Sequence, residues 1–123
     1  MSRDQNILEL RPTIHREAIE SNSLEHFQNE VLRPILKFQH ELLLKEWQSN
    51  PYFEKIKELQ SQGEKRSQLA VLFSKNPVLF SRFIGMCVGL FSTSEFEFYQ
   101  KEKSQIDKRL KELLLTRFLS YEY

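Results

Sequence analysis

The chain has 123 residues, 40% of them apolar and 28% charged, with 18 Lys+Arg against 17 Asp+Glu and a formal net charge of +1. That mix excludes a disordered or low-complexity chain, and the near-balanced charge gives no footprint for a nucleic-acid or anionic-membrane partner. The 18 Leu outnumber the 14 Val, Ile and Thr taken together, so helix-forming residues prevail over strand-forming ones.

In chain order, residues 1–20 read as an arm or a pair of short helices, with Ser2 as a cap for a turn carrying Ile7, Leu8 and Leu10, and Pro12 as an interruption. Its opening residues lack the apolar run of a signal peptide. Residues 20–23 read as a loop that caps a long helix from about Leu24 to Gln48. At about 100° per residue, Leu24, Phe27, Val31, Ile35, Phe38 and Leu42 form one stripe, widened on one side by Leu32, Leu36, Leu43 and Trp47. Pro34 lies inside this pattern, which predicts a kink near residues 30–34, with the stripe continuing in phase across it.

Ser49-Asn50-Pro51 spells a cap followed by proline, predicting a second helix to about Gln60 that buries Tyr52, Phe53, Ile56 and Leu59 and closes on a left-handed Gly63. A third helix spans about Glu64 to Lys75. Asn76-Pro77 repeats the restart signal and opens a fourth, through about Phe91. Ser92-Thr93-Ser94-Glu95 spells a capping box for a last long helix, Glu95 to Leu119, with Phe96 and Tyr99 on its apolar face and an Asp107–Lys111 pair on its wet one. The expected fold is all-α: a single helical domain over 1–123, a compact bundle of four to five main helices with a kinked long first helix and a long C-terminal helix. No segment alternates with a period of two, and no stretch is apolar for long enough to span a bilayer.

The chemistry of an active site is not spelled. None of His15, His26 and His40 has Glu three residues before it, His40-Glu41 lacks the second histidine of a zinc-protease motif, and no cysteine pair exists. The expectation is therefore no metal and no cofactor. Cys87, the single cysteine, sits in an apolar run and reads as a buried, inert thiol; with no disulfide, the protein is placed in the cytoplasm. Lys65, Arg66, Ser67, Gln68 and Lys75 line the second helix of a helix-turn-helix-like pair, but segment 51–76 holds 5 basic against 3 acidic residues, so a solvated face is expected rather than a nucleic-acid site.

Two surfaces stand out. In the fourth helix Arg82, Gly85 and Gly89 recur on one face, and each mid-helix glycine costs about 1 kcal/mol relative to alanine. Either another helix of the chain packs closely on this stripe, or the stripe is a dimer seam or ligand floor with Arg82 beside it. The second surface is the polar strip Gln28, Asn29, Arg33, Lys37, Gln39 and His40 around the expected kink. The aromatic tail, Phe118 to Tyr123, either folds onto the core or docks on a second subunit.

Residues 25–39, reading EHFQNEVLRPILKFQ, together with Arg11-Pro12-Thr13-Ile14 and Gly85-Met86-Cys87-Val88-Gly89-Leu90-Phe91, resemble a group of uncharacterised small all-helical bacterial proteins that often carry the label glyoxalase. Glyoxalase-type domains use βαβββ modules with His and Glu metal ligands on strands, and this sequence spells neither the strands nor the ligand set. The reading that results is a non-catalytic protein-interaction or regulatory module, acting as a homodimer or on another protein. The alternative is a small-molecule-binding protein or glyoxalase-like enzyme with an interhelical pocket.

Overall fold

A computed structural model describes residues 2–11 and 23–120, and every regular element among them is helical. The elements are α1 (Arg3–Leu10), α2 (Ser23–Phe27), a π-helical turn (Gln28–Leu32), α3 (Arg33–Gln48), α4 (Phe53–Lys57), α5 (Gln62–Lys75), α6 (Pro77–Val88), α7 (Thr93–Lys101) and α8 (Lys103–Ser120). The expectations for the Pro12–Ile19 stretch, His15, the 20–22 loop, Tyr121 and Tyr123 fall outside the described residues.

The starts of several helices follow the local code. Ser2 and Gln5 form a reciprocal capping box on α1, as Ser92 and Glu95 do on α7. Asn76 accepts from the Leu79 N–H at the start of α6, with Pro77 at the position where a missing donor costs nothing.

The π turn explains the largest departure from the helical-wheel reading. Pro34 has no N–H, and its ring crowds the carbonyl four residues before it. The chain accommodates this by opening one wide turn immediately upstream, in which the Arg33 N–H reaches the Gln28 carbonyl. The extra residue slips the helical phase by one position. Phe27 is buried ahead of it and Val31 and Leu32 within it; beyond it Ile35, Leu36, Leu43 and Trp47 are buried, so the expected stripe reaches Ile35, while its last members, Phe38 and Leu42, turn outward at 45% and 54% exposure. The expectation of a stripe continuing in phase is therefore corrected.

Four boundaries also differ: the fourth helix ends at Val88 and not Phe91, so Gly89 is its C-cap and only Gly85 is mid-helix. The second helix is only Phe53–Lys57, because residues 51–52 form a turn in which the Tyr52 N–H donates to Asn50 Oδ1, leaving the Tyr52 ring outside. Gly63 is not a left-handed terminator. No described glycine has positive φ, and Ser61 caps the Glu64 N–H two residues earlier, drawing Gly63 into the first turn of α5. The expected last helix is two: α7 ends at Lys101, and Glu102 leaves helical geometry (φ −115°, ψ 25°) before α8 begins. Phe96 is exposed on α7, and Asp107 accepts from Tyr99 Oη (2.7 Å) and Lys103 Nζ (2.8 Å), whereas Lys111 Nζ donates to Ser74 Oγ.

The core sits where α3, α5 and α6 meet around α8. Ile106, Leu110, Leu114 and Phe118 line the buried side of α8. Phe118 stacks on Trp47 (6.0 Å between ring centres) and meets Phe83 at 5.1 Å, which in turn meets Phe73 at 5.8 Å. A second aromatic group joins Phe27 to Phe91 (5.5 Å) and Phe98 (5.0 Å), and Phe91 to Tyr99 (5.7 Å). No single described helix is long and apolar enough to cross a membrane; α5 and α6 pass that test only jointly, as a pair bent by 95°.

Candidate functional site

The residues singled out from the sequence divide between two places. Gln28 and His40 face α8: Gln28 Oε1 accepts from Arg109 Nη1 (3.0 Å), and His40 Nδ1 lies 3.1 Å from Arg117 Nη1. A guanidinium can only donate, so His40 Nδ1 is the acceptor. Partial burial and the Arg117 charge, opposed by Glu41, hold the imidazole below its usual pKa of 6.5. Asn29 Oδ1 accepts from Arg33 Nε at 3.1 Å, one turn away on the same strand of helix. The polar strip is thus largely spent inside the chain, tying the π turn and α3 to α8.

Arg82, Gly85 and Gly89 share the other place, the outer face of α6. Arg82 is paired with Glu46 of α3 (2.6 Å), and Gln39 of α3 donates to the Met86 carbonyl (2.8 Å). Among the described residues nothing covers Gly85, between these two ties to α3, while Gly89 lies beyond them at the end of α6. A methyl group built on Gly85 would find no atom within 4 Å, and one on Gly89 would meet only the Gly85 carbonyl oxygen, at 3.2 Å. Close packing of another helix of the chain onto the stripe is therefore excluded among the described residues. Exposed Phe38 and Leu42 project from the adjoining helix, and Phe38 shares a small crevice with Ile7 and Leu10 of α1. Gly85 is thus open on α6, and Phe38 and Leu42 are exposed on α3, the helix tied to it through Glu46 and Gln39.

The sequence reading missed a polar clasp. Helix α1 lies across the junction of α6 and α7, although none of its own residues is buried. At the end of α6, Arg3 donates to the Gly89 (3.0 Å) and Phe91 (2.8 Å) carbonyls, and Arg11 to the Leu90 carbonyl (2.9 Å). At the start of α7, Asp4 accepts from the Thr93 N–H (3.0 Å) and hydroxyl (2.6 Å), and Arg11 grips both oxygens of Glu95 at 2.7 Å. Cations thus meet the negative end of one helix and a carboxylate the positive end of the next. The Arg11 and Glu95 side chains are only 9% and 16% exposed. Burial pushes the Glu95 carboxyl up, but the Arg11 fork and charge and the Ser92 donors outweigh it and leave it below the usual range. Thr93 does the same for Asp4, with Arg3 assisting. Ser92-Glu95 was legible as a cap; nothing local announced that Arg11, 84 residues away, would hold it.

A groove between α4 and α5 also went unread. It encloses about 540 Å³ over Ile56, Leu59, Val71 and Leu72, with Tyr52, Lys55, Gln68, Lys75 and Asn76 around them. Arg66, expected on a solvated face, is paired at the surface with Glu112 and bonded to Thr116 of α8.

For covalent chemistry the arrangement offers little. The Cys87 thiol is buried and its pKa is pushed up to about 12 by desolvation, with Arg117 opposing, so the nucleophilic thiolate is suppressed. No group of three or more His, Cys, Asp or Glu side chains able to hold a metal ion occurs among the described residues. No protein-family model, curated protein or solved structure matches the chain.

Proposed function

We propose that this protein is a non-catalytic interaction module, active as a homodimer in the cytoplasm of a bacterium, and that the α3–α6 face is its seam. The observation that supports this is the uncovered Gly85 on α6, together with Phe38 and Leu42 exposed on α3, the helix tied to α6. Mid-helix glycine is costly in a monomer, and here no helix of the described chain uses the space it leaves. In a symmetric dimer the same face meets its own copy, so the glycine track of one protomer receives apolar side chains of the other. On this reading residues 24–48 behave as one rod bent near Pro34, which sets the angle of the face, and four to five main helices form its support.

Sedimentation velocity over about 5–200 μM spans the range in which a weak dimer forms and dissociates. A dimer is expected, with Leu42→Asp and Gly85→Glu each shifting it to monomer while helical content is unchanged. A wild-type chain that stays monomeric throughout, or a dimer indifferent to both substitutions, would overturn the reading.

A further inference from the structure

The α4–α5 groove has a chemical bias that the α3–α6 face lacks. Its floor is aliphatic, from Ile56 and Leu72, which are buried or nearly so, to the exposed edge of Val71. Both charges in its wall are positive, Lys55 and Lys75, and no carboxylate lines it. Neither ammonium is in an ion pair among the described residues. Lys55 Nζ lies 5.4 Å from the centre of the exposed Tyr52 ring, within reach of a cation–π contact at the rim.

An apolar trough of this volume falls within the range of small-molecule sites, and unpaired cations at its mouth select for a ligand with one oily end and one anionic end. We propose that the groove binds a free amphipathic carboxylate of medium chain length, its hydrocarbon tail on Ile56, Val71 and Leu72 and its carboxylate between Lys55 and Lys75. The volume of the groove, about 540 Å³, bounds the size of the tail, and the two lysines set the sign of the head group. This site uses elements that the proposed seam does not, so either can fail without the other.

The test is a titration of the full chain with decanoate, decanol and decyltrimethylammonium below their aggregation limits, read from NMR methyl shifts. Decanoate is expected to saturate with a Kd of about 0.1 mM, moving the Ile56, Val71 and Leu72 methyls, with decanol weaker and the cation weakest. Lys55→Gln combined with Lys75→Gln is expected to weaken decanoate about tenfold and leave decanol unchanged. Val71→Glu, at an exposed position that the core does not need, is expected to abolish both. Failure of decanoate to saturate by about 2 mM, equal affinity for decanoate and decanol, or shifts centred on Leu42 would each overturn the proposal. So would binding to phosphatidylglycerol vesicles without a decanoate site, which would make the groove a membrane contact.

Discussion

Helix α1 and helix α8 are both held firmly to the same body, by opposite means. Helix α8 buries Ile106, Leu110, Leu114, Leu115 and Phe118 and is held by apolar surface removed from water. Helix α1 has no fully buried residue and is held chiefly by Arg3, Asp4 and Arg11 at the facing ends of two other helices. Apolar burial is indifferent to pH and barely screened by salt, whereas a clasp made of charge-assisted hydrogen bonds responds to both. The molecule therefore has a region that yields only to global unfolding and another that solution conditions can loosen by themselves.

The sharpest way to break the comparison is at the core. Phe83 is fully buried between Phe73 and Phe118, and Phe83→Ala is expected to cost about 3–5 kcal/mol in urea unfolding, with α8 losing its exchange protection only as the whole chain unfolds. Next comes Arg11→Ala, which leaves the half-buried Glu95 carboxylate without its partner. It is expected to cost about 1–2 kcal/mol and to raise hydrogen exchange throughout α1 while the α8 amides stay protected. Loss of protection in both helices together would show that they are a single cooperative unit.

Acid acts on the same clasp. The folded pKa of Glu95 lies below its ordinary value of 4.5, so its stabilisation is complete above that pH and is lost as the pH falls through the folded value; Asp4, below its ordinary 3.8, follows the same sign. Exchange protection of α1 is expected to fall as the pH drops below about 4.5 in the wild type, and to fall less steeply in Arg11→Ala, where the Asp4–Thr93 bonds still titrate but the Arg11–Glu95 pair is gone. The smallest effect belongs to the glycines. With open space around it, Gly85→Ala is expected to stabilise the monomer by about 0.5–1 kcal/mol, whereas Gly89→Ala, whose methyl meets the Gly85 carbonyl oxygen at 3.2 Å, is expected to gain less. Equal gains at both positions would mean that the close approach at Gly89 relaxes freely.

Much of the fold was legible because its signals are local. Caps at Ser2, Asn76 and Ser92, the proline at the start of α6, and the absence of period-two patterning are written within a few residues of where they act. Of the candidate site, the open Gly85–Gly89 track could be noticed in sequence, but whether a helix covered it could not. The groove was illegible because α4 and α5 contribute to it across a turn whose geometry hinged on Ser61, not Gly63.

By itself, then, the amino-acid order determined that this chain is helical, where several helices begin, and that Cys87 belongs in an oily interior, since each depends on propensity or on neighbours within a turn. Tertiary structure alone decided the rest. The π turn slipped the phase of α3 by one residue and so chose which apolar side chains became surface. The break at Glu102 has no glycine or proline to announce it, and it separates an α7 whose rings face Phe27 and Phe91 from an α8 that packs on α5. Arg11 found Glu95 because two helix ends with unsatisfied backbone groups came to lie beside it, a meeting that no window of sequence contains.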